Sequence, residues 1–194
     1  GRRTDYSPAI LLRAATNFVR VNEDRPFFLY FAPILPHANN ERGAVGMEVP
    51  DLGAYGTESW PDPEKRKAAM ITYLDTLVGK LISDLRQRHL EDQTLVIFTS
   101  DNGPHAESGV NPAFFRSSGP LRGIKRDLYE GGIRVPLIAW WPGKIRAGTT
   151  NDRPVAFWDF LPTLAEITGA TPPKETDGTS FAATLFGGQP KRPP

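Results

Sequence analysis

The sequence predicts an α/β fold in which helices flank a mostly parallel sheet. Three short apolar segments, rich in aromatic or β-branched residues, are interspersed with three segments whose apolar residues recur every three to four positions. The resulting order, helix–strand–helix–strand–strand–helix, is typical of α/β proteins. The two longest irregular segments each follow a predicted strand, at the sheet edge where ligands bind in open α/β folds.

The composition is that of a globular protein without a general affinity for polyanions. The 194 residues include 23 basic and 22 acidic side chains, so the net charge is +1. This balance gives no electrostatic case for binding nucleic acid or an anionic membrane surface. The chain has no cysteine, which excludes disulfides and thiolate ligands within it, and no apolar run approaches the roughly 18–20 residues of a membrane span.

The first two elements are a helix and a strand. Ser7 as N-cap and Pro8 in the first turn predict a helix that continues to about Asn22. Residues 27–32 are apolar on both faces, as expected of a buried parallel strand. Residues 33–63 are rich in Pro, Gly and Asn and lack periodicity, and a loop of this length inside a compact domain is usually functional.

The clearest helix is predicted over residues 63–89. Its apolar face is formed by residues spaced three and four apart, namely Ile71, Leu74, Val78, Leu81 and Leu85. A strand follows at residues 94–99, then a second long irregular segment at 100–134, and a third strand at 135–141. The proline within this last strand favours an edge position or a strand start.

The C-terminal region contains one further helix and a tail. Asp159 predicts an N-cap, and the helix that follows is expected to end at Thr168 and to be closed by Gly169. The tail from Thr171 is rich in proline, with one short helical turn near residues 181–186.

Polar residues follow the first two predicted strands. His37 lies where an imidazole can act as an acid, a base or a hydrogen-bond donor; the alternative is that it orders its own loop. Asp101 and Asn102, followed by Gly103, offer oxygens that suit a hard cation such as calcium or magnesium. Asp-Asn-Gly is also a common turn sequence, but its position at a strand end favours the metal site.

The second long loop presents three cations within five residues, Arg122, Lys125 and Arg126. On a glycine-rich loop they could bind a sulfate, phosphate or carboxylate. The alternative is a solvated basic turn in which Glu130 and Arg134 form an i,i+4 pair. Taken together, a histidine, an Asp-Asn pair and a lysine suit metal-assisted attack on an anionic ester.

Two long runs carry a resemblance to a known family. Residues 95–105 (LVIFTSDNGPH) and 119–136 (GPLRGIKRDLYEGGIRVP) resemble segments of type I sulfatases, the arylsulfatase family of the alkaline phosphatase superfamily. Pro36-His37, the helix with Leu74-Asp75 and the WPGKI turn at 141–145 match in order and spacing. The amino-acid sequence of these segments is most similar to that of bacterial sulfatases acting on sulfated carbohydrates.

The resemblance implies an alkaline-phosphatase-like fold, a calcium ion and a hydrated formylglycine nucleophile. It implies that Asp101 and Asn102 are calcium ligands, that Lys125 contacts the sulfate and its bridging oxygen, and that His37 contacts the sulfate or assists the leaving group. His105 is implied to face the substrate, with loop ordering as the alternative. Export to the periplasm or secretion is also implied, whereas the identity of the sulfated substrate and the oligomeric state are left open.

The chain departs from the family at the nucleophile. Formylglycine forms from Cys or Ser in a Cys/Ser-x-Pro-x-Arg motif; residues 118–122 (SGPLR) fit the short form but lack the downstream Leu-Thr-Gly and overlap the loop that carries Lys125. We therefore expect the nucleophile, an aspartate pair, a lysine and a histidine upstream of this chain. Residues 1–170 are expected to be the C-terminal part of the catalytic domain, and 171–194 a Pro-rich tail leading toward a C-terminal subdomain.

Three expectations follow from this incompleteness. The chain alone should neither bind calcium tightly nor hydrolyse a sulfate ester, because calcium affinity depends on ligand number and charge. Missing strands should leave a hydrophobic sheet edge unpaired. Two alternative functions also stay open: a phosphodiesterase or phosphonate hydrolase of the same superfamily, and a sulfatase-like module without a nucleophile that binds sulfated glycans.

Overall fold

A computed structural model of the protein describes residues 5–172 and 174–188. They divide into two compact units: residues 5–90 with Thr99–Leu137, and Glu91–Phe98 with residues 138–188. The predictions made for the first four residues, for Pro173 and for the end of the Pro-rich tail lie outside the described residues. Within the described ranges, no helix is long and apolar enough to cross a membrane.

The first helix, α1 (Ser7–Asn22), has the predicted bounds. Ser7 is nevertheless not its N-cap, as the sequence suggested: Tyr6 has the extended backbone of that position, and Ser7 is the first helical residue. The helix buries Leu12 and Val19 in the first unit. The Tyr6 hydroxyl donates a hydrogen bond of 2.8 Å to the carbonyl of Glu48, which ties the start of α1 to the first long loop.

The prediction of a buried strand at residues 27–32 is wrong for this chain. The segment is extended, but no strand pairs with it in the part of the chain that the structure describes. Its burial alternates: Phe28 and Tyr30 are 72% and 82% exposed, whereas Phe27, Leu29 and Phe31 are half-buried. The Phe27 ring packs against Phe18 of α1 at 6.0 Å between ring centroids, whereas Phe28 and Tyr30 lie on the exposed face of the segment. The unpaired sheet edge expected above stays a prediction.

The first long loop contains two short 3-10 helices, Asn40–Val45 and Gly53–Thr57. The second helix, α2 (Asp62–Gln87), agrees with the prediction within two residues at each end. Leu74, Leu81 and Leu85 lie on the packed face as predicted, whereas Ile71 is 47% exposed and its neighbour Met70 is buried in its place. Leu77 is likewise more buried than the predicted Val78.

The second irregular segment connects two short strands. β1 (Val96–Thr99) and β2 (Leu137–Trp140) form a two-stranded sheet in the described part of the chain. Both are shorter than predicted, and Pro136 precedes β2, as a proline at a strand start should. A one-turn helix, α3 (Glu130–Ile133), lies in the segment between them.

The second unit contains the remaining helices. A 3-10 turn at Glu91–Gln93 precedes β1, and another at Phe157–Asp159 leads into α4 (Phe160–Thr168). Asp159 holds the predicted N-cap position without a capping bond to α4; its carboxylate accepts instead from the backbone N–H groups of Ala156 and Thr179. The left-handed Gly169 (φ 73°) ends α4 as predicted, and α5 spans Ala182–Leu185.

The core of the first unit fixes the segment around His37. Leu35 and Ala38, on either side of His37, are both buried in it. The core joins α1, this segment, α2 and the second irregular segment through Leu12, Leu35, Ala38, Met47, Met70, Leu77 and Val110. Because its neighbours are packed, His37 is held at a defined place at the surface of this unit.

Candidate active site

His37 has its ring orientation set by its own backbone. Nδ1 lies 2.6 Å from the carbonyl oxygen of Ala38, and the side chain is 48% exposed. Because a carbonyl oxygen only accepts, the proton of the neutral ring is assigned to Nδ1 and the lone pair to Nε2. The free face of His37 therefore presents a hydrogen-bond acceptor.

Lys125 meets that acceptor directly. Its Nζ lies 2.9 Å from Nε2 of His37, although the two residues are 88 positions apart. The backbone N–H of Lys125 donates to the carbonyl of Pro104 at 2.8 Å, which places the cationic loop beside the segment that follows Asp101 and Asn102. The structure thus joins two of the predicted catalytic residues in a single hydrogen-bonded pair.

Glu107 lies at the centre of the cluster, and the sequence reasoning missed it. One oxygen is 3.3 Å from Lys125 Nζ and 2.6 Å from Arg126 Nη2; the other is 3.7 Å from His37 Nε2 and 3.9 Å from His105 Nδ1. Burial raises the pKa of Glu107, but hydrogen bonds and charge from Lys125 and Arg126 outweigh it and hold that pKa below its usual range. The carboxylate is therefore ionised at neutral pH.

A cue for Glu107 existed in the charge pattern. Three cations lie within five residues of one loop, so an acidic partner was to be expected, and Glu107 lies in the same irregular segment. Two of these cations, Lys125 and Arg126, have Glu107 as a partner. The third, Arg122, packs over the ring of Tyr129 at 3.7 Å. The Glu130–Arg134 pair considered above is present at 3.6 Å, with both side chains largely exposed.

His105 is buried, and both of its ring nitrogens are engaged within the chain. Nδ1 accepts from the backbone N–H of Glu107 at 3.1 Å, so the proton is assigned to Nε2, which lies 3.2 Å from the carbonyl of Pro36. The ring thereby links the His37 loop to the Glu107 turn. This geometry favours the loop-ordering role, and the substrate contact implied for His105 stays a prediction.

The burial of His105 predicts acid sensitivity of the fold. Desolvation lowers the pKa of His105 in the folded protein, outweighing the hydrogen bond to Pro36 and the charge of Glu107. An unfolded histidine titrates near about 6.5. Below that pH the unfolded chain binds a proton that the folded chain does not. The free energy of unfolding should therefore have its full value above a pH of about 6.5. It should decrease as the pH falls from this value toward the pKa of His105 in the folded protein.

Thermal unfolding of the whole protein at pH 7.5 and pH 5.5 measures this effect. We expect His105→Gln to reduce the drop in Tm between the two pH values. His89→Asn is the matched control, because His89 is exposed and has a left-handed backbone (φ 56°) that asparagine tolerates. An unchanged pH dependence in His105→Gln would contradict the prediction.

Asp101 and Asn102 offer ligand oxygens for a cation. Asp101 is exposed, and no described residue forms a hydrogen bond or ion pair with its carboxylate. The Asn102 amide donates from Nδ2 to the carbonyl of Gly103 at 2.9 Å, which leaves its Oδ1 as an acceptor. This donor set fits calcium, but calcium takes six to eight oxygens. In the described ranges no three His, Cys, Asp or Glu side chains form a metal site, so this pair would supply only part of the coordination.

Close backbone contacts hold the Asp-Asn motif against the cationic loop. The N–H of Gly103 donates to the carbonyl of Gly132 at 2.9 Å, and that of Gly131 to Arg122 at 2.7 Å. A Cβ at Gly103 would collide with the backbone of Gly131, so this approach requires glycine. The structure brings these backbones together, but it gives no contact between the side chains of Asp101 or Asn102 and those of His37 or Lys125.

A protein-family model decides the relationship. The model that describes the Sulfatase family matches residues 2–170. The chain belongs to the sulfatase family. Human arylsulfatase A is 37% identical over 166 residues, covering 85% of this chain and 30% of that protein. Canine N-acetylgalactosamine-6-sulfatase is 32% identical over 184 residues, covering 93% of this chain and 33% of that protein. The chain thus spans about a third of the length of these curated sulfatases.

Solved structures agree with the family and confirm the alkaline-phosphatase-like fold class. Ps i-CgsB superposes with a TM-score of 0.81 at 33% identity, covering 96% of this chain and 40% of that one. A second structure of Ps i-CgsB, in complex with k-i-k-neocarrahexaose, gives a TM-score of 0.77. Phosphonate monoester hydrolase of Agrobacterium radiobacter is also similar, with a TM-score of 0.55 at 27% identity over 68% of this chain and 24% of that one.

Proposed function

We propose that the whole protein containing this chain is a sulfuric ester hydrolase acting on sulfated carbohydrates. The observation that carries the proposal is the pair formed by Lys125 Nζ and His37 Nε2 at 2.9 Å, because it combines a cation and a proton-accepting nitrogen at one place in a sulfatase-family chain. The carbohydrate class is supported by the complex of Ps i-CgsB with k-i-k-neocarrahexaose.

The chemistry assigned to these residues is anion binding and proton transfer. The Lys125 ammonium binds the sulfate and stabilises the negative charge that develops on the bridging oxygen as the S–O bond breaks. That oxygen must also gain a proton to leave as an alcohol. Neutral His37 has its ring proton on Nδ1, where Ala38 holds it, and accepts from Lys125 at Nε2. The Lys125 ammonium therefore gives the proton to the leaving oxygen, and His37 orients that ammonium.

We further propose that Asp101 and Asn102 contribute ligands to a calcium ion. When bound, such an ion would reduce charge repulsion at the ester oxygens. A formylglycine is proposed as the nucleophile, in the part of the protein upstream of this chain, together with the remaining calcium ligands. Residues 1–170 would then be the C-terminal part of the catalytic domain, with 171–194 leading toward a further subdomain. Export to the periplasm or secretion fits an enzyme whose substrates are polysaccharides.

Steady-state kinetics of the purified whole protein test the proposal. We expect turnover of an aryl sulfate and of sulfated oligosaccharides, with a phenyl phosphonate monoester hydrolysed at least about 100-fold more slowly. The phosphonate has two non-bridging oxygens where the sulfate has three, so it offers one acceptor fewer to groups arranged around a sulfate in the transition state. Asp101→Ala should raise the calcium concentration needed for half-maximal activity. Residues 1–194 alone, the matched control, should show no turnover.

Two outcomes would contradict the proposal. Faster hydrolysis of the phosphonate ester would identify a phosphonate hydrolase, for which the structural similarity is weaker. Binding of sulfated oligosaccharide without any hydrolysis, in protein whose mass shows no formylglycine, would identify a glycan-binding module.

A further inference from the structure

Glu107 has no role in the proposed chemistry, yet its carboxylate touches three of the predicted site residues. We propose that Glu107 is a positioning residue that holds Lys125 and His37 in the arrangement required at the sulfate ester. This proposal rests on the proposed function. It assigns to an acidic side chain the task of orienting two groups that themselves contact the substrate.

The two carboxylate oxygens have different sets of partners. Oε1 lies 3.3 Å from Lys125 Nζ and 2.6 Å from Arg126 Nη2. Oε2 faces His37 Nε2 at 3.7 Å and His105 Nδ1 at 3.9 Å, and is 3.5 Å from Lys125 Nζ. Both oxygens accept from Lys125, and the side chain is only 9% exposed. The two histidine nitrogens that face Oε2 carry lone pairs and do not donate to it, so Glu107 acts on His37 through Lys125.

The backbone of Glu107 is itself fixed to the core. Its N–H donates to Nδ1 of His105, whose other nitrogen lies against the carbonyl of Pro36. Its carbonyl accepts from the N–H of Val110, a buried core residue, at 3.1 Å. The carboxylate is therefore presented from a rigid turn that also touches the His37 loop, as a group that orients other side chains should be.

Arg126 completes the arrangement from the outer side. Its backbone has a left-handed conformation (φ 80°), which residues other than glycine rarely adopt, and its side chain is 70% exposed. The pair with Glu107 holds this conformation, in which Lys125 points inward at 15% exposure while Arg126 points outward. Glu107 thus separates two consecutive cations and directs the inner one toward His37.

The negative charge of Glu107 also contributes to this role. The groups around Lys125 Nζ are His37 Nε2, Arg126 and the Glu107 carboxylate, and Lys67 adds positive charge near His105. Glu107 is the only anion among them in the described residues. Without its charge, the Lys125 ammonium and the Arg126 guanidinium would lie close together with no anion bound to both. Their repulsion would move Lys125 away from its position beside His37.

Kinetics of Glu107→Gln, Glu107→Asp and a control variant in the whole protein test the proposal. We expect Glu107→Gln to lower kcat on an aryl sulfate about 10- to 100-fold, with KM changed less than about threefold. Glu107→Asp, which keeps the charge, should recover part of kcat. Glu130→Gln removes an exposed carboxylate of the same irregular segment and should leave both kcat and KM unchanged.

Two results would overturn the positioning role. One is a Glu107→Gln enzyme with wild-type kcat. The other is a Glu107→Gln variant whose Tm and kcat both fall while Glu107→Asp recovers neither, since that pattern describes a structural contact only.

A readout that does not depend on activity separates this proposal from the proposed function. The ¹⁵N chemical shifts of the His37 ring report its tautomer and its hydrogen bond at Nε2, and a His37→Asn variant assigns them. We expect these shifts to change in Glu107→Gln even if the whole protein fails to hydrolyse sulfate esters. Unchanged shifts would overturn the positioning role while leaving the proposed function intact.

Discussion

Replacing Lys125 with methionine is expected to lower kcat of the whole protein on a sulfate ester by roughly 10²- to 10³-fold, the usual loss when one donor to a developing negative charge is removed. Methionine keeps most of the aliphatic volume but removes the ammonium that lies 2.9 Å from His37 Nε2. It also leaves the Glu107 carboxylate facing the sulfate with Arg126 as its remaining ion-pair partner. The loss therefore combines missing stabilisation with added repulsion.

Arg122→Met is the matched control for this experiment. It removes one positive charge from the same loop, but from a guanidinium that packs over Tyr129 rather than against His37 or Glu107. We expect less than about a threefold change in kcat, because a partly exposed cation acts weakly on a site that it does not contact. Comparable losses in the two variants would show that the loop acts through its overall charge and not through Lys125.

The elements that the sequence predicted well have strong local determinants. The start of α1 is marked by a proline in its first turn, and the end of α4 by the left-handed Gly169. The long α2 follows a periodicity that runs from Ile71 to Leu85, so its existence was predictable, and three of those five residues lie on its packed face. The proximity of His37 and Lys125 agrees with the family resemblance, which implied that both contact the sulfate.

The features that escaped prediction depend on contacts between residues distant in sequence. Glu64 and Lys67 of α2 carry charges that a helical pattern assigns to solvent, yet both are buried. Glu64 accepts the backbone N–H of Asn111, and Lys67 donates to Ser117, 50 residues away, at 3.1 Å. Glu107 escaped for the same reason, since an acidic residue in a polar loop resembles a solvated one until its partner cations are placed beside it.

The apolar segment at residues 27–32 shows the opposite error, because it was predicted to be buried and is partly exposed. Its composition describes a strand with both faces covered, whereas the described chain covers only one of them and leaves Phe28 and Tyr30 exposed. A segment that is apolar on both faces is typical of a strand covered on both faces. The pattern does not indicate which residues would cover it.

Gly103→Ala is expected to destabilise the protein by about 2–4 kcal/mol and to abolish most of its activity. A methyl group at this position meets the carbonyl and Cα of two backbone units, Gly131 and Gly132, neither of which can rotate out of the way. Overpacking of this kind costs about 1–3 kcal/mol, and separation of the two segments also breaks the 2.9 Å hydrogen bond from Gly103 to Gly132, worth about 1 kcal/mol. Because Asp101 and Asn102 directly precede Gly103, the calcium binding proposed for them should weaken together with stability.

Gly79→Ala provides the same chemical change where the opposite sign is expected. Gly79 lies on the exposed side of α2, and a Cβ there would meet no atom within 4 Å. Alanine should stabilise the helix by about 0.5–1 kcal/mol, because it restricts the unfolded backbone and is the better helix former. Denaturant unfolding of both variants measures the two changes in the free energy of unfolding, provided that each variant has the same m-value as the wild type. If Gly103→Ala proved as stable as the wild type, the close backbone approach beside the Asp-Asn motif would be contradicted, whatever the result at Gly79.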